Sequence, residues 1–224
     1  MKYLLIANVA VFFAMFILQD AMGENFRWFI HIFGLNPAWV LRGAIWQFVT
    51  YMFLHGDFWH LAFNMLWLWM FGCSLEADWG SRPFLNYYFF TGIAAGVVNF
   101  LATIGSNVPT IGASGAIFGI IVAYAMAYPN RLIYIWMLFP VKVKYFAIFA
   151  VGINLYAVVQ STAPHASPVA HFAHLGGALF GYLYLKFGDR VRFSLPRIRL
   201  NTRSRTGNKA GDWHNFMRSE VDPI

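Results

Sequence analysis

Apolar residues along the chain fall into six runs separated by short polar or turn-forming stretches, drawn at Tyr3 to Leu18, Phe58 to Leu75, Phe84 to Ile104, Ile111 to Tyr128, Val143 to Val159 and Pro168 to Phe187. A helix crossing a bilayer takes about 20 residues at a rise of about 1.5 Å each, so the pattern predicts six crossings. Pro129, Asn130, Pro140 and Pro164 punctuate the second half, where turns are expected. The long stretch from Asp20 to Asp57 is different: it carries Trp28, Trp39, Trp46 and Phe48. Amphipathic rings favour the headgroup region, so this segment between the first two helices is expected to lie in or at the interface. Lys2 ahead of an apolar run has the look of a signal peptide, but no small-x-small cleavage site follows before Asp20, and the run is expected to remain as a helix.

Composition supports the same reading. Charged residues are 11% of the chain against 59% hydrophobic and 20% aromatic, where a soluble domain carries roughly a quarter charged residues. The expected fold is an all-α membrane bundle over residues 1–187, followed by a basic tail over 188–224. The single Cys73 lies in an apolar run, so it forms no intramolecular disulfide and is read as packing. Basic residues divide unequally between the two sides of a six-helix arrangement. Arg27 and Arg42 fall on one side, while Lys2, Arg82, Arg131, Lys142, Lys144, Lys186 and the tail arginines fall on the other. Positive charge favours the cytoplasmic face, so both termini are expected there. The tail residues Arg190, Arg192, Arg197, Arg199, Arg203, Arg205 and Lys209 supply most of the net charge of +7. They suit anionic lipid headgroups, and no nucleic-acid partner is needed to explain them.

The informative residues are those that lipid should exclude. Full charges at the centre of a spanning helix cost about 2.5 to 3.5 kcal/mol on insertion scales, and strongly polar groups there also need a reason. The runs contain His60 and Asn64, then Asn99, Ser114, Asn154, His171 and His174. Charge counting puts His60, Ser114 and His174 in the external half of the bilayer. Packing alone could explain each: serine among glycines in a helix commonly lines a close contact or bonds its own backbone, and a membrane histidine or asparagine commonly links neighbouring helices.

Together these residues fit a nucleophile, which needs a base within hydrogen-bond reach and donors for a developing oxyanion. Gly115 and Gly119 flank the Ser114 face of the fourth helix, and Gly177 and Gly181 share one face after His174. Two such faces can approach closely enough to bring the Ser114 hydroxyl to the His174 imidazole as general base. Ser114 lies at the start of its helix, where N–H groups and the positive dipole end favour negative charge. His60 and Asn64, four residues apart, share a face and offer two more donors, and Phe118 is placed to pack on the His174 ring.

The carboxylates exclude other chemistries, because no Asp or Glu occurs between Asp78 and Asp189. A pair of intramembrane aspartates, a His-Glu-x-x-His zinc site and a Ser-His-Asp triad are all disfavoured. Gly115 follows Ser114 directly and no strand precedes it, so this is not the Gly-x-Ser-x-Gly elbow of soluble hydrolases either. A serine–histidine dyad remains.

These residues resemble those of the rhomboid intramembrane serine proteases. The resemblance covers about Trp46 to Phe187 and includes His55, His60 and Asn64 opening the second helix, Gly112-Ala113-Ser114-Gly115 opening the fourth, and Ala173-His174-Leu175-Gly176-Gly177 in the sixth. It implies a six-helix bundle in which Ser114 is the nucleophile and His174 the base. His60, Asn64 and the Ser114 backbone N–H would hold the oxyanion, with no cofactor and no metal. It also implies transmembrane protein substrates amid membrane lipids, and a multi-pass protein of the bacterial inner membrane. Gln47 stands where many members carry Arg, and Phe118 where many carry Tyr; the latter lacks a hydroxyl but keeps a ring.

Such a substrate must unwind locally before Ser114 can reach a carbonyl, and deacylation needs water, admitted from the external side under a lid placed at Ser161 to Pro168. Two other functions fit the same fold class. An inactive rhomboid-like scaffold or chaperone would lack Ser114 or His174, both present here. A channel would need a polar path through both halves of the bilayer, and the inner halves are nearly all apolar.

Overall fold

The computed structural model describes residues 1–135, 138–160 and 169–188. The loop expected as a lid, Ser161 to Pro168, and the basic tail beyond Gly188 lie outside the described residues. Six long helices dominate: α1 (Lys2–Met22), α5 (Phe58–Trp79), α6 (Ser81–Ala102), α7 (Ser114–Ala127), α8 (Val143–Gln160) and α9 (Val169–Phe187). Between α1 and α5 the chain folds into three short helices, α2 (Phe26–Phe33), α3 (Pro37–Val40) and α4 (Gln47–Thr50), with single 3-10 turns at Gly23–Asn25 and Tyr51–Phe53.

Among the described residues, three helical stretches are long and apolar enough to cross a membrane: the one starting at Lys2 and running to Phe33, then Ser81–Ala102 and Val143–Gln160. Ser114–Ala127 is apolar but shorter. The surface carries the same signature. Phe16 on α1 is 67% exposed and Ile148 on α8 is 68% exposed, while Asn8, Asn99 and Asn154 are buried. Apolar side chains outside and amides inside suit a hydrocarbon solvent.

Two sequence expectations are corrected. The fold is mostly helical but not all-α. Strands β1 (Leu132–Ile135) and β2 (Phe139–Lys142) form an antiparallel hairpin, with Leu132 opposite Lys142 and Ile135 opposite Phe139. Proline, β-branched and aromatic residues there favour an extended hairpin over continued helix. The apolar run predicts a fourth helix from Ile111, yet α7 begins at Ser114. Gly112 has φ of 123°, a conformation that only glycine tolerates readily, and its N–H bonds the Tyr51 carbonyl at 2.9 Å. Just before it, Leu35 and Thr110 exchange backbone hydrogen bonds at 2.9 Å, so an extended segment delivers the chain to Ser114.

α7 sits at the centre, against α5, α6, α8 and α9. Around it lies a core with Tyr51, Leu68, Phe71, Phe84, Tyr87 and Ile120 fully buried. Cys73 packs at the edge of this core. The buried Gln47 ties the α2–α4 segment together. Its Oε1 accepts from the Asn36 N–H at 2.8 Å, and its amide donates to the His31 and Ile32 carbonyls at 2.7 and 3.1 Å. Gln47 thus anchors this segment through backbone groups alone.

Candidate active site

Ser114 opens α7, and no side chain caps that helix end. The first N–H groups of α7 therefore have no intrahelical acceptor and meet the positive end of the helix dipole, an environment that favours an anion. The histidine that meets Ser114 comes from α9. His174 Nε2 lies 2.7 Å from Ser114 Oγ, a normal hydrogen-bond length. Phe118, one turn along α7, stacks on the His174 ring at a centroid distance of 4.4 Å and an interplanar angle of 8°.

The closeness of the two helices has a specific origin. A Cβ built on Gly177 would overlap the Gly115 carbonyl oxygen, and one on Gly181 would lie 2.9 Å from Gly119 Cα. Real Cβ atoms do not come that near, so only glycine at 177 and 181 lets the backbones touch. Toward α6, a Cβ on Gly115 would meet Ala95 at 2.7 Å and one on Gly119 would meet Thr91 at 2.7 Å. α7 is thus held between α6 and α9 by residues chosen for small size.

His60 and Asn64 come from the first turns of α5. Asp57 caps that helix by accepting the His60 N–H at 2.9 Å. The His60 ring accepts from the Gly56 N–H at Nδ1, over 3.4 Å, and turns Nε2 toward Gly112. A Cβ on Gly112 would stand 2.7 Å from His60 Nε2 and 3.7 Å from Ser114 Oγ. With Nδ1 accepting, the neutral His60 ring carries its proton on Nε2, so a donor points at the space beside Ser114. Asn64 is buried and gives one amide hydrogen to the His60 carbonyl at 2.7 Å. Nδ2 carries a second hydrogen, and Oδ1 is buried with no hydrogen-bond partner among the described residues.

Behind these residues lies His55, 1% exposed, edge-on to His60 at a centroid distance of 5.0 Å and an angle of 65°. Burial, helped by the neighbouring His60, pushes its pKa down to about 4.

The structure brings Ser114, His174, Phe118 and Gly115 into contact and sets Gly112 and His60 beside them, with Asn64 one turn further along α5. It also adds a group to which the sequence assigned no role. Asn154 on α8 has Oδ1 2.8 Å from Nδ1 of His174 and 2.8 Å from Nδ1 of His171. Its signal in the sequence was only an amide inside an apolar run. Among the described residues there is no cluster of three or more His, Cys, Asp or Glu that could hold a metal ion. What the arrangement can do chemically is take a proton from a serine hydroxyl, at a helix N-terminus able to receive negative charge.

Fold and site together define a helical membrane bundle with a serine–histidine pair between glycine-lined helices. Residues 42–188, more than half of the chain, match the rhomboid domain, and the chain belongs to the rhomboid family. It is 34% identical to "Rhomboid protein 1, mitochondrial" of Saccharomyces cerevisiae, over 59% of this chain and 38% of that protein. It is 30% identical to "Rhomboid protease GluP" of Bacillus subtilis, over 80% of this chain and 33% of that protein. With "Rhomboid-like protein 11, chloroplastic" of Arabidopsis thaliana it shares 28% identity, over 80% of this chain and 61% of that protein. The chain thus spans 33% to 61% of the length of these curated relatives.

Proposed function

We propose that this rhomboid-family protein is an intramembrane serine endopeptidase, hydrolysing peptide bonds in or near transmembrane segments of other membrane proteins through Ser114 and His174. The observation that carries the reading is the 2.7 Å approach of His174 Nε2 to Ser114 Oγ. The presence of a named protease, GluP, among its relatives adds to it.

In the reaction, Ser114 Oγ attacks the scissile carbonyl carbon and its proton passes to His174 Nε2. The resulting oxyanion is held by the Ser114 N–H at the start of α7, with His60 Nε2–H and the second Asn64 amide hydrogen as further donors. Collapse breaks the C–N bond, His174 gives its proton to the leaving amine, and an acyl-enzyme forms. Water then attacks that ester with His174 again as base, releasing the new carboxyl end and restoring Ser114. Gly112 and Gly115 act by leaving space, and Phe118 keeps the imidazole plane fixed. The chemistry needs no cofactor and no metal.

For the surroundings, α1, α5, α6, α7, α8 and α9 are read as six crossings, with the aromatic segment between α1 and α5 in the interface and both termini on the basic, cytoplasmic side. α7, with 14 residues, is about 21 Å long and shorter than the roughly 30 Å hydrocarbon layer. With the external side assigned by the charge distribution, this shortness lets the Ser114 end lie below the surface within reach of external water. The partners are transmembrane substrates and lipids, not nucleic acid. A membrane location follows from the apolar helices and the family, whereas the mitochondrial and chloroplastic names of relatives do not support the bacterial inner membrane expected from the sequence.

An inactive rhomboid-like scaffold is the alternative, and the presence of both Ser114 and His174 counts against it. The test is cleavage of a transmembrane reporter by the full chain in liposomes, together with covalent labelling of Ser114 by a fluorophosphonate. Ser114→Ala and His174→Ala should each abolish cleavage. Undiminished cleavage by the Ser114→Ala protein overturns the proposal.

A further inference from the structure

His174 can take the Ser114 proton only if it presents a bare Nε2 to the hydroxyl. We infer that Asn154 is a positioning residue that fixes the tautomer and in-plane orientation of His174, making the pair a three-residue hydrogen-bonded array without a carboxylate. The inference rests on the reading of Ser114 and His174 as the catalytic pair.

Hydrogen-bond logic alone decides which atoms carry protons. Asn154, 7% exposed, places Nδ2 2.8 Å from the Ala150 carbonyl of its own helix. A carbonyl only accepts, so the amide nitrogen belongs on that side and Oδ1 faces α9. Oδ1 is then 2.8 Å from Nδ1 of His174 and 2.8 Å from Nδ1 of His171. An amide oxygen has two lone pairs and no hydrogen, so both imidazoles must carry a proton on Nδ1. A neutral His174 with its proton on Nδ1 has a lone pair on Nε2, the atom beside the Ser114 hydroxyl. The opposite tautomer would point a donor at Ser114 and could not take its proton.

Phe118 and Asn154 divide the work of holding the ring. The parallel stack at 4.4 Å fixes the ring plane, while the Asn154 bond fixes rotation within that plane. His171 shares the same oxygen, with its ring 6.2 Å from that of His174 at 81°, so the two lone pairs of Oδ1 accept one Nδ1–H each. Linking α8 to α9 is the other use of such an amide, and a role confined to that link predicts lost stability without a specific loss of kcat.

The test uses the full chain in liposomes with a transmembrane reporter, plus 15N NMR of histidine-labelled protein in the Ser114→Ala background. Asn154→Leu should lower kcat about 10- to 100-fold with KM little changed, the scale of losing a hydrogen bond to a group that becomes charged. The His174 signal should move from the Nδ1–H to the Nε2–H pattern. Asn154→Asp supplies an oxygen acceptor in the same place. It should keep kcat within about tenfold of wild type and retain the Nδ1–H pattern, and it covers the case in which the leucine variant fails to fold. The inference is overturned by an Asn154→Leu protein that keeps wild-type kcat, by an unchanged tautomer in that variant, or by an Asn154→Asp loss as large as the leucine loss. Failure of the activity itself has a separate sign, since wild-type protein would then neither cleave the reporter nor label at Ser114. The NMR result in the Ser114→Ala protein is independent of turnover.

Discussion

Gly177 on α9 lies so close to the Gly115 carbonyl of α7 that no side chain fits between them. This contact sets the distance between Ser114, the residue before Gly115, and His174, one turn before Gly177. A methyl group at Gly177 would force the helices apart and stretch the 2.7 Å Nε2–Oγ approach. Gly177→Ala should therefore destabilise the protein by about 1 to 3 kcal/mol, the usual penalty for overpacking, and remove most of the proposed activity. Gly152→Ala on α8 is the matched control, because a Cβ there meets nothing within 4 Å. It should be neutral or add up to about 1 kcal/mol, as Gly to Ala does inside a helix. Thermal unfolding of both variants in detergent checks the contrast, and equal melting temperatures would contradict the packing account.

Gly112 carries a double constraint. Its φ of 123° disfavours any side chain, and a Cβ would sit 2.7 Å from His60 Nε2. Gly112→Ala should cost about 1 to 3 kcal/mol of stability through backbone strain. Because His60 must also move, kcat should fall further than the stability loss accounts for. Comparing kcat for folded Gly112→Ala and His60→Ala proteins tests this. Full activity in Gly112→Ala protein would remove His60 from the oxyanion site.

The sequence revealed those features that length and apolarity alone determine. α5, α6, α8 and α9 start and end within a few residues of the apolar runs, because a run of that length has few other ways to bury its backbone. The start of α7 was hidden: Ile111 and Ala113 are as apolar as the helix itself, and only the Gly112 backbone and its bond to the Tyr51 carbonyl divert the chain. The segment around Trp28 and Trp39 was legible as aromatic but not as α2, α3 and α4, since helices of four to eight residues depend on tertiary bonds such as Asn36 to Gln47. In the site, Ser114, His60 and His174 stood out as polar residues in apolar runs. Asn154 stood out equally, yet its partnership with His174 requires the way α8 packs against α9, which no spacing in the chain encodes.

Phe118 offers a graded test of ring positioning. Its parallel stack on His174 involves only the aromatic face, so Phe118→Tyr should leave turnover within about twofold. Phe118→Ala removes an aromatic contact worth about 0.5 to 1.5 kcal/mol, and if that contact holds the reactive ring, kcat should fall about 2- to 12-fold. Reporter cleavage at saturating substrate reads this directly. An alanine variant as fast as wild type would mean that packing elsewhere fixes the imidazole.

His55 predicts how stability depends on acidity. Its pKa falls to about 4 in the folded protein, first because it is buried and second because His60 lies beside it, with Asp57 acting in the opposite direction. An unfolded chain returns the imidazole to about 6.5. Between pH 6.5 and 4 the unfolded state therefore binds more protons than the folded one, and stability rises with pH across that window. The contribution is fully present above pH 6.5 and is lost as pH falls toward 4, the loss being on the order of 3 kcal/mol once pH is below 4. His55→Phe fills a similar volume without a titrating group. Its melting temperature should fall less than that of wild type between pH 7 and 4.5. Parallel curves for the two proteins would show that His55 is not the group whose burial excludes a proton.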